Sequence, residues 1–184
     1  MEVTAVINFE VYLLMTMKPR LSLADTRGLL DARLSRVGVN LDNAARTHER
    51  IAAALSDQNS RFRDMKTLLG IVDNDATSLR YNSVLWPGFD FNAHADQHGS
   101  LASASYMHTD HTPLDVESPA QLAAWSCDIH EFDERFGPAV QVEKRPLFDD
   151  TLPAYEGYEF SWKGDRYGAS FLWGLFLTSS VYWE

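Results

Sequence analysis

One cysteine, Cys127, serves the whole 184-residue chain, so no internal disulfide forms, and Cys-rich zinc ribbons are excluded with it. Basic side chains are scarce too: 16 Lys and Arg stand against 26 Asp and Glu, for a net charge of -10. A surface of that sign repels phosphate backbones and anionic lipid, so neither nucleic acid nor membrane is an expected partner. The apolar run Val11–Met17 falls well short of the roughly 20 residues that a membrane span needs. It follows Glu10 and no basic segment, which reads as a buried strand and leaves a cytoplasmic location as the expectation. No internal repeat is present. There is also no G-x-S-x-G elbow, no H-E-x-x-H pair and no glycine-rich phosphate loop.

What is present is apolar substance. Hydrophobic residues make up 45% of the chain, with five Trp, seven Tyr and ten Phe, enough for one packed domain. Period-two alternation through Ile7, Phe9, Val11 and Leu13 predicts a strand over Ala5–Met17, with Glu10 on its exposed side. Helices are predicted over Leu23–Val37, ending at Gly38, and over Asp42–Leu69, with a break at Ser56–Ser60. Ser118, Pro119 and Gln121 form a start signal, and Leu122, Trp125, Ile129, Phe132 and Phe136 then recur at helical spacing up to Gly137. Strands are predicted over Ser78–Trp86, Leu101–Met107, Ala139–Glu143 and Tyr155–Trp162. The long apolar stretch from Tyr167 is a further strand or a bent pair, with Gly174 as a bulge. The expected architecture is a single α+β domain, a mixed or antiparallel sheet against two or three helices, with a polar His-rich excursion at about 92–117.

Four of the six histidines, His94, His98, His108 and His111, fall in that excursion, with Asp96 and Asp110 between them. Imidazole with carboxylate suits a divalent transition metal, so these six residues are the candidate ligands. If Leu101–Met107 is a strand, the two His-x-Asp steps flank it, and only a neighbouring strand or loop brings them together. The step resembles, locally, the facial triad of the non-haem iron oxygenases. That family also uses a distant histidine and a double-stranded β-helix core. Here the only later histidine is His130, and the first third is mostly helical. Cys127 and His130 have the spacing of a nucleophile and base on one helix, yet Asp128, Glu131 and Glu134 around them oppose a thiolate. Of the aromatics Trp86, Phe89, Phe91, Tyr158, Trp162, Trp173 and Trp183, most read as core rather than as a stacking platform, and Trp86 and Phe89, flanking the Pro87-Gly88 turn, are the pair expected to be exposed.

The charge is uneven: residues 112–160 hold eleven acidic side chains against three basic ones. Asp128, Glu131 and Glu134 are expected on the outer side of the last helix, with Asp149 and Asp150 in a nearby loop and Tyr155 as an aromatic anchor. Such a surface suits a basic protein partner, through steering and complementary contacts. In size, charge and aromatic-rich α+β character the chain resembles bacterial immunity proteins, which neutralise toxic enzymes by occluding them. The expected function is therefore an acidic protein-binding module that needs no cofactor. The alternatives are a metal-dependent enzyme or metal-binding protein using His94–His111, and a structural or assembly component.

Overall fold

In the computed structural model, which describes residues 1–21, 27–72, 76–110, 113–146, 148 and 154–182, the N-terminal apolar run is helix α1 (Val3–Leu21) rather than a strand. Its buried positions Val6, Phe9, Glu10, Leu13, Leu14, Met17 and Leu21 follow the 3.6-residue period, and Val11 and Tyr12 are buried as well. A helix apolar nearly all round is one enclosed by the rest of its fold. The β-branched content that suggested a strand yields to that packing, because helix propensities differ by less than about 1 kcal/mol per residue. Pro19 falls in the last turn, where it removes one backbone donor without stopping the helix.

The chain divides into two compact units, residues 1–104 and 105–184. In the first, α1 packs against α2 (Arg27–Arg36) and α3 (Leu41–Ala54). Asn40 caps α3 by accepting the Asn43 N–H, and the predicted break at Ser56–Ser60 separates α3 from α4 (Arg61–Leu68). Strands β1 (Ser78–Asn82), β2 (Phe89–Ala95) and β3 (Leu101–His108) form a sheet in that order, and the unit boundary falls within β3. Tyr81 stacks on its strand partner Phe91 at 5.3 Å, and Phe9 of α1 meets Phe91 edge-on at 5.6 Å. Glu10, expected on an exposed face, is fully buried: its Oε2 accepts the Val84 and Leu85 N–H groups at 3.0 and 2.8 Å. A buried carboxylate is tolerable only with such donors.

The second unit is a four-stranded antiparallel meander of β4 (Val140–Lys144), β5 (Tyr155–Trp162), β6 (Asp165–Leu172) and β7 (Leu175–Val181), with α5 (Ile129–Phe136) against β5. Both sheets are antiparallel and the class is α+β, as the sequence predicts. Lys163-Gly164 and Trp173-Gly174 have positive φ at both positions, the type I′ geometry that suits hairpins. Gly174 is therefore the tip of a hairpin and not a bulge. Phe132 centres the core, with ring centroids of Phe136, Phe160, Phe171 and Phe176 within 5.7 Å.

The helix predicted from Ser118 is interrupted. The capping box of Ser118 and Gln121 is present, but it starts only a 3-10 turn at Pro119–Gln121. Trp125 then adopts φ +63, and the segment runs alongside β7: Trp125 N–H donates to the Phe176 carbonyl, and Phe176 N–H to that of Cys127. Those sheet-edge bonds displace the helix between Leu122 and Asp128. The apolar positions remain inward even so: Trp125, Phe132 and Phe136 are buried, and Leu122 and Ile129 pack on the same core.

An added Cβ at Gly174, where φ is +79, would lie 2.7 Å from the Tyr106 carbonyl oxygen. At Gly164, φ +94, it would meet open space. Gly174→Ala should destabilise the protein by about 3 kcal/mol and Gly164→Ala by about 1 to 2 kcal/mol in urea unfolding. Equal losses would contradict the close approach at Tyr106.

Candidate functional site

Helix α5 begins at two carboxylates that serve each other. Asp128 Oδ1 accepts the His130 and Glu131 N–H groups at 2.9 and 3.0 Å, while Glu131 Oε2 accepts the Asp128 N–H at 3.1 Å. This is a complete capping box at a helix N-terminus, where the dipole also favours negative charge. A third residue joins it from β3. The His108 N–H donates to Asp128 Oδ2 at 2.9 Å, and the His108 ring Nδ1 lies 2.6 Å from Glu131 Oε1. The carboxylate only accepts, so Nδ1 carries the proton and Nε2 is left as the outer nitrogen.

Asp128 and Glu131 are consequently 4% and 3% exposed. The expectation that they face a partner is corrected here: their oxygens are taken up by backbone N–H groups and an imidazole within the unit. The D-x-x-E spacing of Asp128 and Glu131 is itself a capping signal, masked by the stronger-looking one at Ser118. The neighbouring Cys127 thiol is fully buried, and burial followed by the Glu131 and Asp128 charges pushes its pKa up to about 12. A nucleophile cannot be drawn from it, in line with the reading of Cys127 as a core residue.

The histidine stretch divides by role. His94, on β2, is exposed, as are His98 and Asp96 in the turn to β3. Asp96 Oδ1 accepts the His98 and Ser100 N–H groups at 2.8 and 3.0 Å, so its carboxylate builds the turn. The two His-x-Asp steps do flank β3, but His108 turns to Glu131, Asp110 is exposed, and His111 lies outside the described residues. Among the described residues no three His, Cys, Asp or Glu side chains are grouped to hold a metal. His48 stacks on Tyr12 at 5.3 Å, and its burial lowers the imidazole pKa.

Of the other expected contact residues, Glu134 is exposed on α5, Tyr155 is half-exposed at the start of β5, and Asp149 and Asp150 lie outside the described residues. Two residues not foreseen join Glu134. The Arg135 guanidinium donates from Nε to the Val116 carbonyl at 2.9 Å, which ties the segment before the 3-10 turn to α5. Leu114 and Val116 pack inward on the core, and Asp115 and Glu117 between and after them are exposed. The alternation L-D-V-E was the signal for this: an extended stretch that puts its acids outward. No protein family, curated protein or solved structure matches the chain.

Asp128→Ala should cost about 2 to 4 kcal/mol, the loss of a helix cap together with an orphaned His108 N–H. Glu134→Ala should stay within about 0.5 kcal/mol. Urea unfolding followed by tryptophan fluorescence measures both, and similar costs would contradict the division between an internal and an outward carboxylate.

Proposed function

We propose that the chain is an acidic protein-binding module that docks a basic protein through its second unit, in the manner of an immunity or inhibitor protein occluding its target. The observation that carries this reading is the placement of charge. Residues 105–184 hold fourteen acidic and five basic side chains, whereas residues 1–104 hold twelve and eleven, so nearly all of the net charge of -10 belongs to one unit.

Two of those carboxylates, Asp128 and Glu131, are internal. Asp115, Glu117 and Glu134 are exposed, and the bond from Arg135 to Val116 joins the two segments that carry them. Exposed charges of one sign act over about 10 Å at moderate salt and chiefly raise the rate of encounter with an oppositely charged surface. The same charges oppose nucleic acid and anionic lipid. Among the described residues no helix is long and apolar enough to cross a membrane.

The immobilised chain is expected to capture a basic protein from a lysate of its source cells at low salt. With that protein purified, Glu117→Lys with Glu134→Lys should slow association about tenfold at low salt and much less at high salt. The same charge change on the first unit, Asp31→Lys with Glu49→Lys, should leave the rate within about twofold. Equal slowing by both pairs, or capture of no basic protein, would contradict the proposal.

A further inference from the structure

We infer that the outer edge of β1 takes an extended peptide of a partner protein as an added antiparallel strand, with an acidic residue of that peptide set across from Arg80. The pairing of β1 with β2 fixes which backbone groups face outward. The Ala95 N–H donates to the Thr77 carbonyl and the Ser83 N–H to that of Phe89, both at 2.8 Å. The odd-numbered residues between them, Leu79 and Tyr81, therefore exchange ladder bonds with β2. The N–H and C=O groups of Ser78, Arg80 and Asn82 turn the other way, and they have no partner among the described residues. All three residues are exposed.

Other strand edges are closed or blunted. At β7 the Trp125 N–H donates to the Phe176 carbonyl and the Phe176 N–H to that of Cys127, and near the end of β3 the Tyr106 N–H donates to the Trp173 carbonyl. β4 is interrupted between Gln141 and Glu143 and carries Lys144 and Arg145. Bulges and charges of that kind keep an edge from pairing. β1 is regular: its register is unbroken from Ser78 to Asn82, and it holds no proline.

Its one charged side chain does not guard the edge either. Arg80 is drawn back over β2, where Nε donates to Asp90 Oδ2 at 2.7 Å and Nη2 pairs with the same oxygen. Asn82 is turned the same way, with Nδ2 donating to Asp90 Oδ1 at 2.6 Å. Both long side chains that could cover the outer backbone groups are thus held by one buried carboxylate on the neighbouring strand.

Charge and alternation select the occupant. A second copy that paired β1 with itself over its full length would set Arg80 across from Arg80, which is repulsive, so the added strand comes from a different protein. The Arg80 side chain is 69% exposed, and its Nη1 has no acceptor among the described residues. A carboxylate directly opposite supplies one. Leu79 and Tyr81 lie on the other face, buried, with Tyr81 edge-on to Phe9 at 6.4 Å. Peptide residues on either side of the acid extend that apolar layer. The fitting segment is apolar, acidic, apolar in extended form, held through its backbone as in other strand additions. This edge shares no residue with Asp115, Glu117 and Glu134.

The test is a titration of the full isotope-labelled chain with acetyl-Thr-Ile-Glu-Val-Thr-amide, followed by amide NMR shifts and hydrogen exchange. Saturable millimolar shifts should centre on Ser78, Arg80 and Asn82, whose amides should exchange quickly alone and become protected with peptide. N-methylation of the peptide's glutamate removes the N–H that meets the Arg80 carbonyl and should weaken binding about tenfold. Lysine in place of that glutamate should weaken it about fivefold, and in Arg80→Gln the two peptides should differ less than about twofold. Absence of saturable shifts at β1, or equal binding of the N-methylated peptide, would overturn the strand addition. Equal binding of the glutamate and lysine peptides to the unaltered chain would overturn the acidic class. Protection of the same three amides on raising the protein concentration without peptide would make the occupant a second copy and overturn the choice of partner.

Discussion

The reciprocal bonds between Asp128 and Glu131 hold the second unit to its plan. They restart a helix after Trp125 has left helical geometry, and they do so immediately after Cys127 has paired with β7. The Phe132 ring is thereby aimed into a cluster that reaches β5, β6 and β7. The last residue of β3 is tied in as well, because the backbone and ring of His108 both end on this carboxylate pair. Two carboxylates, four backbone N–H groups and one imidazole satisfy one another at a single point.

A related solution appears in the first unit, where Glu10 accepts two backbone N–H groups ahead of Trp86. In both places a carboxylate works as a fixed acceptor inside the fold. An acidic composition therefore overstates the acidity of the surface, and the outward charge has to be counted after these are removed. That subtraction moves the proposed docking surface from the first turn of α5 to the exposed acids Glu134, Asp115 and Glu117.

Much of the architecture was legible in residues that act locally. The break at Ser56–Ser60 and the inward positions Phe132 and Phe136 follow from short-range chemistry. The failures are equally specific. Val11 and its β-branched neighbours suggested a strand because sequence does not display the α2 and α3 surfaces that enclose α1. Leu122–Asp128 looked helical because its competitor, the free edge of β7, lies about fifty residues further along the chain. Asp128 and Glu131 were placed outward for the same reason: His108, the partner that draws Glu131 inward, is remote in sequence. The histidine density proved a poor guide, since its members serve a strand surface, a turn and a carboxylate contact separately.

First-turn helix amides have no intrahelical acceptor and ordinarily exchange quickly with solvent. Native-state hydrogen exchange at His130 and Glu131, together with His108, therefore tests most directly whether the Asp128–Glu131 pair holds the second unit together. All three amides should be protected to the level of the central β6 amides and lose that protection together in Asp128→Ala. Exchange of His130 and Glu131 at the rate of an unstructured peptide in the unaltered protein would contradict the account.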